Sequence, residues 1–570
     1  MTQRWTSFLG MIFIAVVLAF FAITPPSTKS IESSADSFSS GRAMQDVEII
    51  SAHPHPTGSA ENAKVRAYLA QRLSTLGLSV TTRQGQLSET PLARLNRWSG
   101  LGASEQSFVN IIGVLPAKHP SANPKSKALL LMAHHDTVWG SPGAADDTIG
   151  IAAILEIIRA LKPEEMKRDL IVLFTDAEEL GLVGAKHFFS THPLRDEIGA
   201  VINFEARGGG GTANLFQTSS GNKDAVTLYA KVVKQPSISS LSTFVYEVLP
   251  NDTDLTPALD KDYIAYNIAN IGRAQYYHSP KITPQSLSEK TLQHMGSQGL
   301  DLTRALLSQD TLPARTHNAT FFDVFGFFTI IYAPFWGWLI LALALGLYGA
   351  SLKTLSPIQL IATSALRMIG FLIIGSAALF GLNWLSGANG SADYYDRLAA
   401  ITLLELSALL LCISLFFAIF TRVSPPIKNS ECHYRLGLAL PVFALGLAGQ
   451  ILAPTATYFI SLSLLLGGIA AFNSSHFVNG MMAKASVILT SAFVLGYMIF
   501  LAHLLMLGVG ADMLSVIILP AALAAMLIAP LTPQMMHKPR KMIILTSLML
   551  SLAVALYIRF DPIASTVPVY

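Results

Sequence analysis

The sequence predicts an α/β domain with parallel strands, followed by an all-α bundle that crosses a membrane. Three observations carry this reading. The 570 residues are 51% hydrophobic and only 13% charged, against roughly 25% charged in an average soluble protein. The charge is also unevenly placed. Residues 325–570 hold 11 Lys and Arg and 6 Asp and Glu, which leaves 28 and 30 for residues 1–324. Finally, the first part contains a strand–helix–strand succession, whereas the second is a series of apolar stretches about as long as a bilayer is thick. A wholly soluble protein, a collagen-like chain and a disordered chain are excluded. The net charge, −2 before residue 325 and +5 after it, is too small to suggest a nucleic-acid partner.

Taken in order, residues 1–30 form an N-terminal transmembrane anchor. Trp5–Ile23 is almost wholly apolar and follows Arg4. It is longer than a usual secretory h-region, and no Ala-x-Ala site follows, so it stays attached. Residues 31–322 form the soluble domain. Gly41–His53 and Ala60–Leu76 carry helical apolar spacing. Ala128–Ala133, Asp169–Thr175 and Ala200–Phe204 are short apolar runs that each end abruptly in acidic or His residues, and read as buried strands. Asp147–Leu161, between the first two, repeats Ile149, Ile151, Ile154, Leu155 and Ile158 on a helical period. Parallel strands joined by a helix follow, and ligands of such sheets bind beyond the carboxyl ends of the strands.

Residues 323–570 form the bundle. Its eight apolar stretches are Phe325–Leu347, Ile358–Leu385, Ala399–Phe420, Gly437–Leu452, Thr457–Phe472, Ala485–Leu507, Met513–Ile528 and Ile543–Ile558. The pair around 437–472 is short and closely joined, which admits a re-entrant alternative. With the anchor, nine spans are expected. If the N-terminus is cytoplasmic, the inner loops carry Lys353, Arg422, Lys428, Arg435, Lys484, Lys538, Arg540 and Lys541, and the outer ones only Arg397 and Arg559. This positive-inside bias puts the soluble domain on the exoplasmic side: the periplasm of a bacterial inner membrane, or a lumen. Arg367 and Glu405 fall within spans, where an ionisable group is costly, and a mutual ion pair is expected. His503 is expected to be packed.

The only cysteines, Cys412 and Cys432, lie in the bundle. The soluble domain is therefore not a disulfide scaffold, a thiol enzyme or a Cys-ligated zinc site. Any metal there sits on His, Asp and Glu. Five polar clusters stand at or near strand ends. In Ala133-His134-His135-Asp136, alternation puts His134 and Asp136 on one face, so that Asp136 can receive the second ring N–H of a metal-binding His134. Asp146-Asp147 opens a helix, where acids also serve as caps. Glu178-Glu179 follows a strand directly and is costly unless a cation or a proton separates the charges. Glu205 ends a strand before four glycines, and Tyr277-His278-Ser279 closes the set. Together they make a hard-oxygen and imidazole donor set without thiolate, suited to zinc, and to two ions if one carboxylate bridges them.

The ordered motifs AHHDT, PGAADDTIG, DAEELGLVG, NFEARG and YHS closely resemble the dizinc aminopeptidase family that includes glutamate carboxypeptidase II and the leucine-type bacterial aminopeptidases. One anchor, an exoplasmic peptidase and a multispan bundle resemble the endoplasmic reticulum metallopeptidases and vacuolar membrane proteases. The segments Phe38–Ala43 and Pro54–Ser59 are similar to the start of their peptidase domain. The peptidase resemblance covers about residues 38–310, and the bundle is matched by topology only. The resemblance implies an α/β zinc-peptidase domain with a mixed, mainly parallel central sheet flanked by helices. It implies two Zn²⁺ per subunit held by His134, Asp146, Glu179, Glu205 and His278, with Asp146 as the bridge, joined to Asp147 by a cis peptide. Glu178 is then the general base, Asp136 stands behind His134, and Tyr277 hydrogen-bonds the tetrahedral intermediate. One departure is Ile282, where many members have an acid four residues after the last His.

The expected function is that of a membrane-anchored, zinc-dependent aminopeptidase acting on peptides with a free N-terminus, its other partner being the lipid bilayer. Alternatives are a glutaminyl-cyclase-like transferase, which normally uses one zinc, and a ligand-binding scaffold or transporter, which would tolerate loss of a ligand or the base. Here all are present. Residue specificity, oligomeric state and protein partners are not legible in the sequence.

Overall fold

The computed structural model describes residues 2–121, 123, 126–352, 354, 357–389, 397–421, 430–477 and 480–561. Lys353, Arg422 and Lys428 of the loop-charge argument lie outside them. The chain divides into two compact units, one spanning 24–331 and the other built from the N-terminal helix and the residues from 332 onward.

The first unit is built on a seven-stranded sheet. Its strands are β1 (Ser79–Gln86), β2 (Ser107–Leu115), β3 (Ala128–His134), β4 (Leu170–Thr175), β5 (Ile198–Ala206), β6 (Gly210–Thr218) and β7 (Ile264–Gly272), in the order β1-β2-β4-β3-β5-β7-β6. The four central strands are parallel, and the flanking pairs β1/β2, β2/β4 and β6/β7 are antiparallel. The expected mixed sheet is therefore present, with its parallel part confined to the centre. The three strands read from sequence are β3, β4 and β5.

The two-residue period of a strand sorts the core. Leu129, Leu131 and Ala133 of β3 join one apolar cluster, and Ala128, Leu130 and Met132 the other. The first cluster takes in apolar residues of α2 (Ser40–Ile50), α3 (Ala60–Thr75), α5 (Thr148–Ala160), α7 (Lys223–Val232) and α10 (Glu289–Ser308). The second is closed by Phe188 and Phe189 of α6 (Val183–Thr191) and Ala258 of α9 (Thr256–Leu259). Two further helices are α4 (Glu89–Ser99) and α8 (Ser240–Val248). Helix α5, buried at nearly every position, starts where Asp147 caps it by accepting from the Gly150 N–H at 3.2 Å. Phe38 packs so closely on α10 that a Cβ on Gly296 would sit 2.0 Å from its ring, which ties the segment before α2 to the core.

In the second unit α1 (Thr2–Ile23) packs on α16 (Met481–Val509) through small residues: a Cβ on Gly496 would lie 2.8 Å from the Ala15 carbonyl oxygen. The other helices are α11 (Trp336–Ala350), α12 (Ile358–Ser386), α13 (Ile401–Ile419), α14 (Glu431–Leu452), α15 (Tyr458–His476), α17 (Ile518–Ile528) and α18 (His537–Phe560). Among the described residues, eight helical spans are long and apolar enough to cross a membrane. The chain is thus a multi-pass membrane protein by its helices.

Three expectations are corrected. Phe325–Leu347 is not one helix. Phe328–Tyr332 is a β-strand paired with Thr320–Val324, and helix α11 starts at Trp336 with 15 residues. β-Branched and aromatic residues in Phe328-Thr-Ile-Ile-Tyr favour the strand, and Pro334 separates it from the helix. The re-entrant alternative is replaced by α14 and α15, of 22 and 19 residues, each long enough to cross. Glu405 pairs not with Arg367, which is exposed, but with His503 Nδ1 at 2.8 Å. The period of α13 turns Glu405 toward α16, so the His503 imidazole takes the place expected for the guanidinium. The stretch before α17 also departs from α geometry: Ala511–Ile517 is a 3₁₀ segment, with Met513 at φ −118, ψ 51, and Asn383 donates to the carbonyls of Ala511 and Asp512.

The Glu405–His503 contact predicts thermodynamic coupling. Glu405→Gln and His503→Ala are each expected to lower the thermal midpoint of the detergent-solubilised chain, and the double variant to lose less than the sum, by about 0.5–3 kcal/mol. An Arg367→Ala variant should couple with neither. Additive effects of the Glu405 and His503 changes would remove the pair.

Candidate metal centre

The parallel strands deliver their acidic ends to one crevice. β3 stops at His134, β4 runs into Asp176-Ala177-Glu178-Glu179, and β5 carries Glu205 near its end. Asp146 comes from the loop that precedes α5, and His278 from the turn after β7 at a left-handed φ of 51°. The peptide bond between Asp146 and Asp147 is cis.

Asp146 stands at the centre. Its Oδ1 lies 2.9 Å from His134 Nε2, and its Oδ2 lies 3.1 Å from His278 Nε2. Glu205 Oε1 is 3.8 Å from His134 Nε2, and Glu179 Oε2 is 3.2 Å from His278 Nε2. Two donor groups result, His134–Asp146–Glu205 and Asp146–Glu179–His278, each with its ligand atoms within 4.8 Å of one another, and they share Asp146. A third grouping, His134–Glu178–Glu179, brings Glu178 to the same place. All seven residues expected from sequence as ligands, base or support converge here. Tyr277 stacks on the His278 ring, with centroids 3.8 Å apart and planes at 25°.

Asp136 is used differently from the expectation. The nearer acceptor to His134 Nδ1 is the backbone carbonyl of Asp136, at 2.9 Å, with the carboxylate at 3.5 Å. That carboxylate accepts instead from the Glu178 and Glu179 N–H groups, at 3.0 and 3.3 Å, and from the Thr57 hydroxyl at 3.3 Å. It therefore holds the Glu178–Glu179 turn. Thr57 also donates to Asp176 Oδ1 at 2.9 Å. His135 turns to the other side, against Asn62 and the Val109 carbonyl.

Burial of so many acids displaces their protonation. Burial pushes Glu178 well above the ordinary carboxylate range; the His134 charge opposes this, and Glu205 and Glu179 add to it. Glu179 is pushed up to about 7 by burial, against His278. Burial also raises Glu205 and, with the charge of Glu205, raises Asp147. Asp146 and Asp136 move down: burial works against both, but hydrogen bonds with His134 and His278 outweigh it for Asp146, and the hydrogen bond with His134 and nearby charge outweigh it for Asp136. Protons and cations answer the same demand in such a cluster. Buried Glu179 Oε1 and Glu205 Oε2 have no hydrogen-bond partner among the described residues. Nitrogen and carboxylate donors without sulfur, two of them with an oxygen left over, fit a zinc-type ion.

Two residues of the crevice were missed in the sequence. Asp254 is fully buried, accepts from the Thr175 hydroxyl, and is pushed up to about 7 by burial. Tyr246 of α8 lies near Glu205 and Glu178, and burial raises its hydroxyl. The paired acids Asp252 and Asp254 after an apolar helix repeat the pattern of the other clusters and were the available signal. Tyr246 left none.

The turn that carries Glu178 and Glu179 is pinned by Asn110. Its Oδ1 accepts from the Asp176 N–H at 3.1 Å, and its Nδ2 donates to the Gly184 carbonyl at 2.8 Å. Asn110→Ala strands both buried backbone groups and is expected to cost about 1–3 kcal/mol for each. A lowered thermal midpoint is the readout, and an unchanged one would show that the turn holds itself.

Residues 110–303 match the model of Peptidase family M28. The vacuolar membrane protease of Eremothecium gossypii is 32% identical over 313 residues, covering 53% of this chain and 31% of that protein. Endoplasmic reticulum metallopeptidase 1 of Mus musculus is 30% identical over 312 residues, 52% of this chain and 34% of that one. The chain thus spans about a third of the length of these relatives. Among solved structures, the aminopeptidase from Aneurinibacillus sp. strain AM-1 is 15% identical with a TM-score of 0.38, over 50% of this chain and 97% of that one. Over residues 110–303, then, the chain is similar to peptidase family M28.

Proposed function

We propose that the chain is a membrane-anchored aminopeptidase that uses two zinc ions. On this reading residues 1–30 are the anchor, 31–322 the peptidase on the exoplasmic face, and 323–570 the bundle. The observation that carries the reading is the Asp146 carboxylate, which turns one oxygen toward His134 and the other toward His278. A carboxylate so placed bridges two sites. His134, Asp146 and Glu205 would hold one ion, and Asp146, Glu179 and His278 the other. When bound, the ions supply Lewis acidity, which polarises the scissile carbonyl and acidifies water.

The rest of the chemistry belongs to the chain. Glu178, half-buried and held by Asp136 through its backbone N–H, takes a proton from the attacking water and returns it to the leaving amine. Tyr277, fixed against His278, donates to the oxyanion formed on the substrate carbonyl. The dense carboxylate field favours an ammonium group, which supports a free N-terminus as the recognised end. Similarity to the membrane proteases and the count of eight candidate spans support the membrane setting.

Glu178→Gln keeps the side chain's size but removes its basicity. It is expected to retain near-normal zinc, measured by elemental analysis, and to lose at least ~10²-fold in aminopeptidase rate. His134→Ala and Asp146→Ala should lose zinc together with activity. Full activity in Glu178→Gln, or zinc loss equal to that of Asp146→Ala, would reassign the base. For orientation, protease added outside spheroplasts should digest residues 31–320 and spare the 421–436 segment. The reverse pattern would invert the topology.

A further inference from the structure

From residue 324 to residue 352 the sequence contains no Asp, Glu, Lys, Arg or His. This stretch starts in a short hairpin, β8 (Thr320–Val324) and β9 (Phe328–Tyr332), and runs into α11. The hairpin is firmly built. The Phe327 N–H donates to the Val324 carbonyl at 3.0 Å, and Phe325 and Gly326 between them have φ of 51° and 76°, the pattern of a tight two-residue hairpin turn. Buried Asp323 holds it down. Its N–H donates to the Ile238 carbonyl at 2.9 Å, its Oδ1 accepts from the Ile238 N–H at 3.1 Å, and its Oδ2 accepts from the Gly326 N–H at 2.8 Å. The hairpin is thus a fixed part of the α/β unit and not a loose tether.

Alternation along β9 sorts its two faces. Ile331 packs on the main apolar cluster. Phe328 and Ile330 point the other way and are 55% and 37% exposed, and Phe327 beside them is 64% exposed. The outer face of an antiparallel strand that meets water is ordinarily polar. Phe335, Trp336 and Trp338 follow, also exposed, at the start of α11. Aromatic side chains of this kind gather where a membrane meets water. Helix α11 has 15 residues, about 22 Å at the rise of an α-helix, against a hydrocarbon core of ~30 Å. The helix alone falls short, so the apolar residues before it are drawn to the membrane boundary.

We propose that β9 lies flat along the membrane boundary, with Phe327, Phe328 and Ile330 seated among lipid headgroups and upper acyl chains. The α/β unit then rests on the bilayer through its own hairpin. Lipid is the occupant because the exposed face continues, without one charge, into the aromatic start of an apolar helix. The flat pose follows from the chain's direction. β9 returns from the turn toward α11, and five extended steps from Phe327 to Tyr332 cover about 16 Å. An upright hairpin would lift Phe327 that far from the boundary, whereas a flat one keeps Phe327 and Ile330 at one depth. The inference does not draw on the zinc reading, since a unit of any activity would be seated in the same way.

The test uses the full wild-type chain in vesicles of phosphatidylcholine and phosphatidylglycerol, doped with a phosphatidylcholine that carries a photoactivatable diazirine near the headgroup end of one acyl chain. After illumination, mass spectrometry is expected to find lipid adducts on Phe327, Phe328 and Ile330 as well as on Phe335 and Trp336. Adducts that begin only at Phe335 overturn the proposal. Spin labels give the depth. On a Cys412→Ala, Cys432→Ala background, labels at Phe327→Cys, Phe328→Cys and Ile330→Cys should be relaxed by dissolved oxygen several-fold more than a label at Thr82→Cys on exposed β1, and by a water-soluble nickel complex several-fold less. Phe327→Cys and Ile330→Cys should report equal depth. Labels as open to the nickel complex as Thr82→Cys overturn the proposal, and so does a Phe327→Cys label well above Ile330→Cys, the mark of an upright hairpin. Broadening between labels that disappears on dilution with unlabelled protein, without lipid adducts, would put a second copy of the chain on this face and overturn it too. The adduct map needs no substitution, so a labelled variant that does not fold leaves the test standing.

Discussion

Repulsion among buried carboxylates is the constraint around which the α/β unit is organised. Asp136, Asp146, Glu179 and Asp254 are buried, and Glu178 and Glu205 half-buried, in one crevice. Two such charges ~4 Å apart repel by about 4 kcal/mol at an effective dielectric constant of 20. The hydrophobic sheet brings them there regardless, because the strands that carry them are fully apolar up to their last residues. Local donors relieve part of the repulsion. The backbone of Glu178 and Glu179 and the hydroxyl of Thr57 settle Asp136, and the Thr175 hydroxyl settles one oxygen of Asp254. What is left over calls for protons or cations: Glu179 and Glu205 each turn one oxygen toward an imidazole and keep the other, Oε1 and Oε2 respectively, without a hydrogen-bond partner among the described residues.

The support behind the site is as specific as the site. Asn110 reaches from β2 to fix the turn after β4, and Thr57, from the segment before α3, touches both Asp136 and Asp176. Strands and loops distant in sequence are thereby made to agree on the position of Glu178. In the proposed mechanism Glu178 must meet a water within hydrogen-bond reach, and a base so used needs this kind of agreement, since small displacements cost rate steeply.

Legibility in the sequence followed the strength of the local signal. β3, β4, β5 and α5 were readable because they are dense apolar runs with abrupt polar ends. The polar strand β1 and the antiparallel partner β6 were not, because alternation there is weak and their pairing is decided by tertiary contact. The acids and histidines that converge on the crevice were readable as clusters of residue types at strand ends. Tyr246 was not, since a tyrosine on a short amphipathic helix carries no mark of what it faces. The Arg367–Glu405 pair failed for a similar reason: helical period fixes which face a residue is on, but not which neighbouring helix covers that face. The start of α11 was misjudged because hydrophobicity alone does not separate a strand from a span.

The polar character of β1, which left it unread, has a consequence for how copies of the protein coexist. β1 borders the sheet, reads Ser-Val-Thr-Thr-Arg-Gln-Gly-Gln and is largely exposed. In the proposed setting, peptidase domains are confined to one plane and meet at high local density. An apolar border strand would offer each of them a template for edge-to-edge pairing, whereas a hydrated border carrying Arg83 discourages such stacking. Crowding on the membrane then leaves the crevices of neighbouring molecules separately open to diffusing peptides.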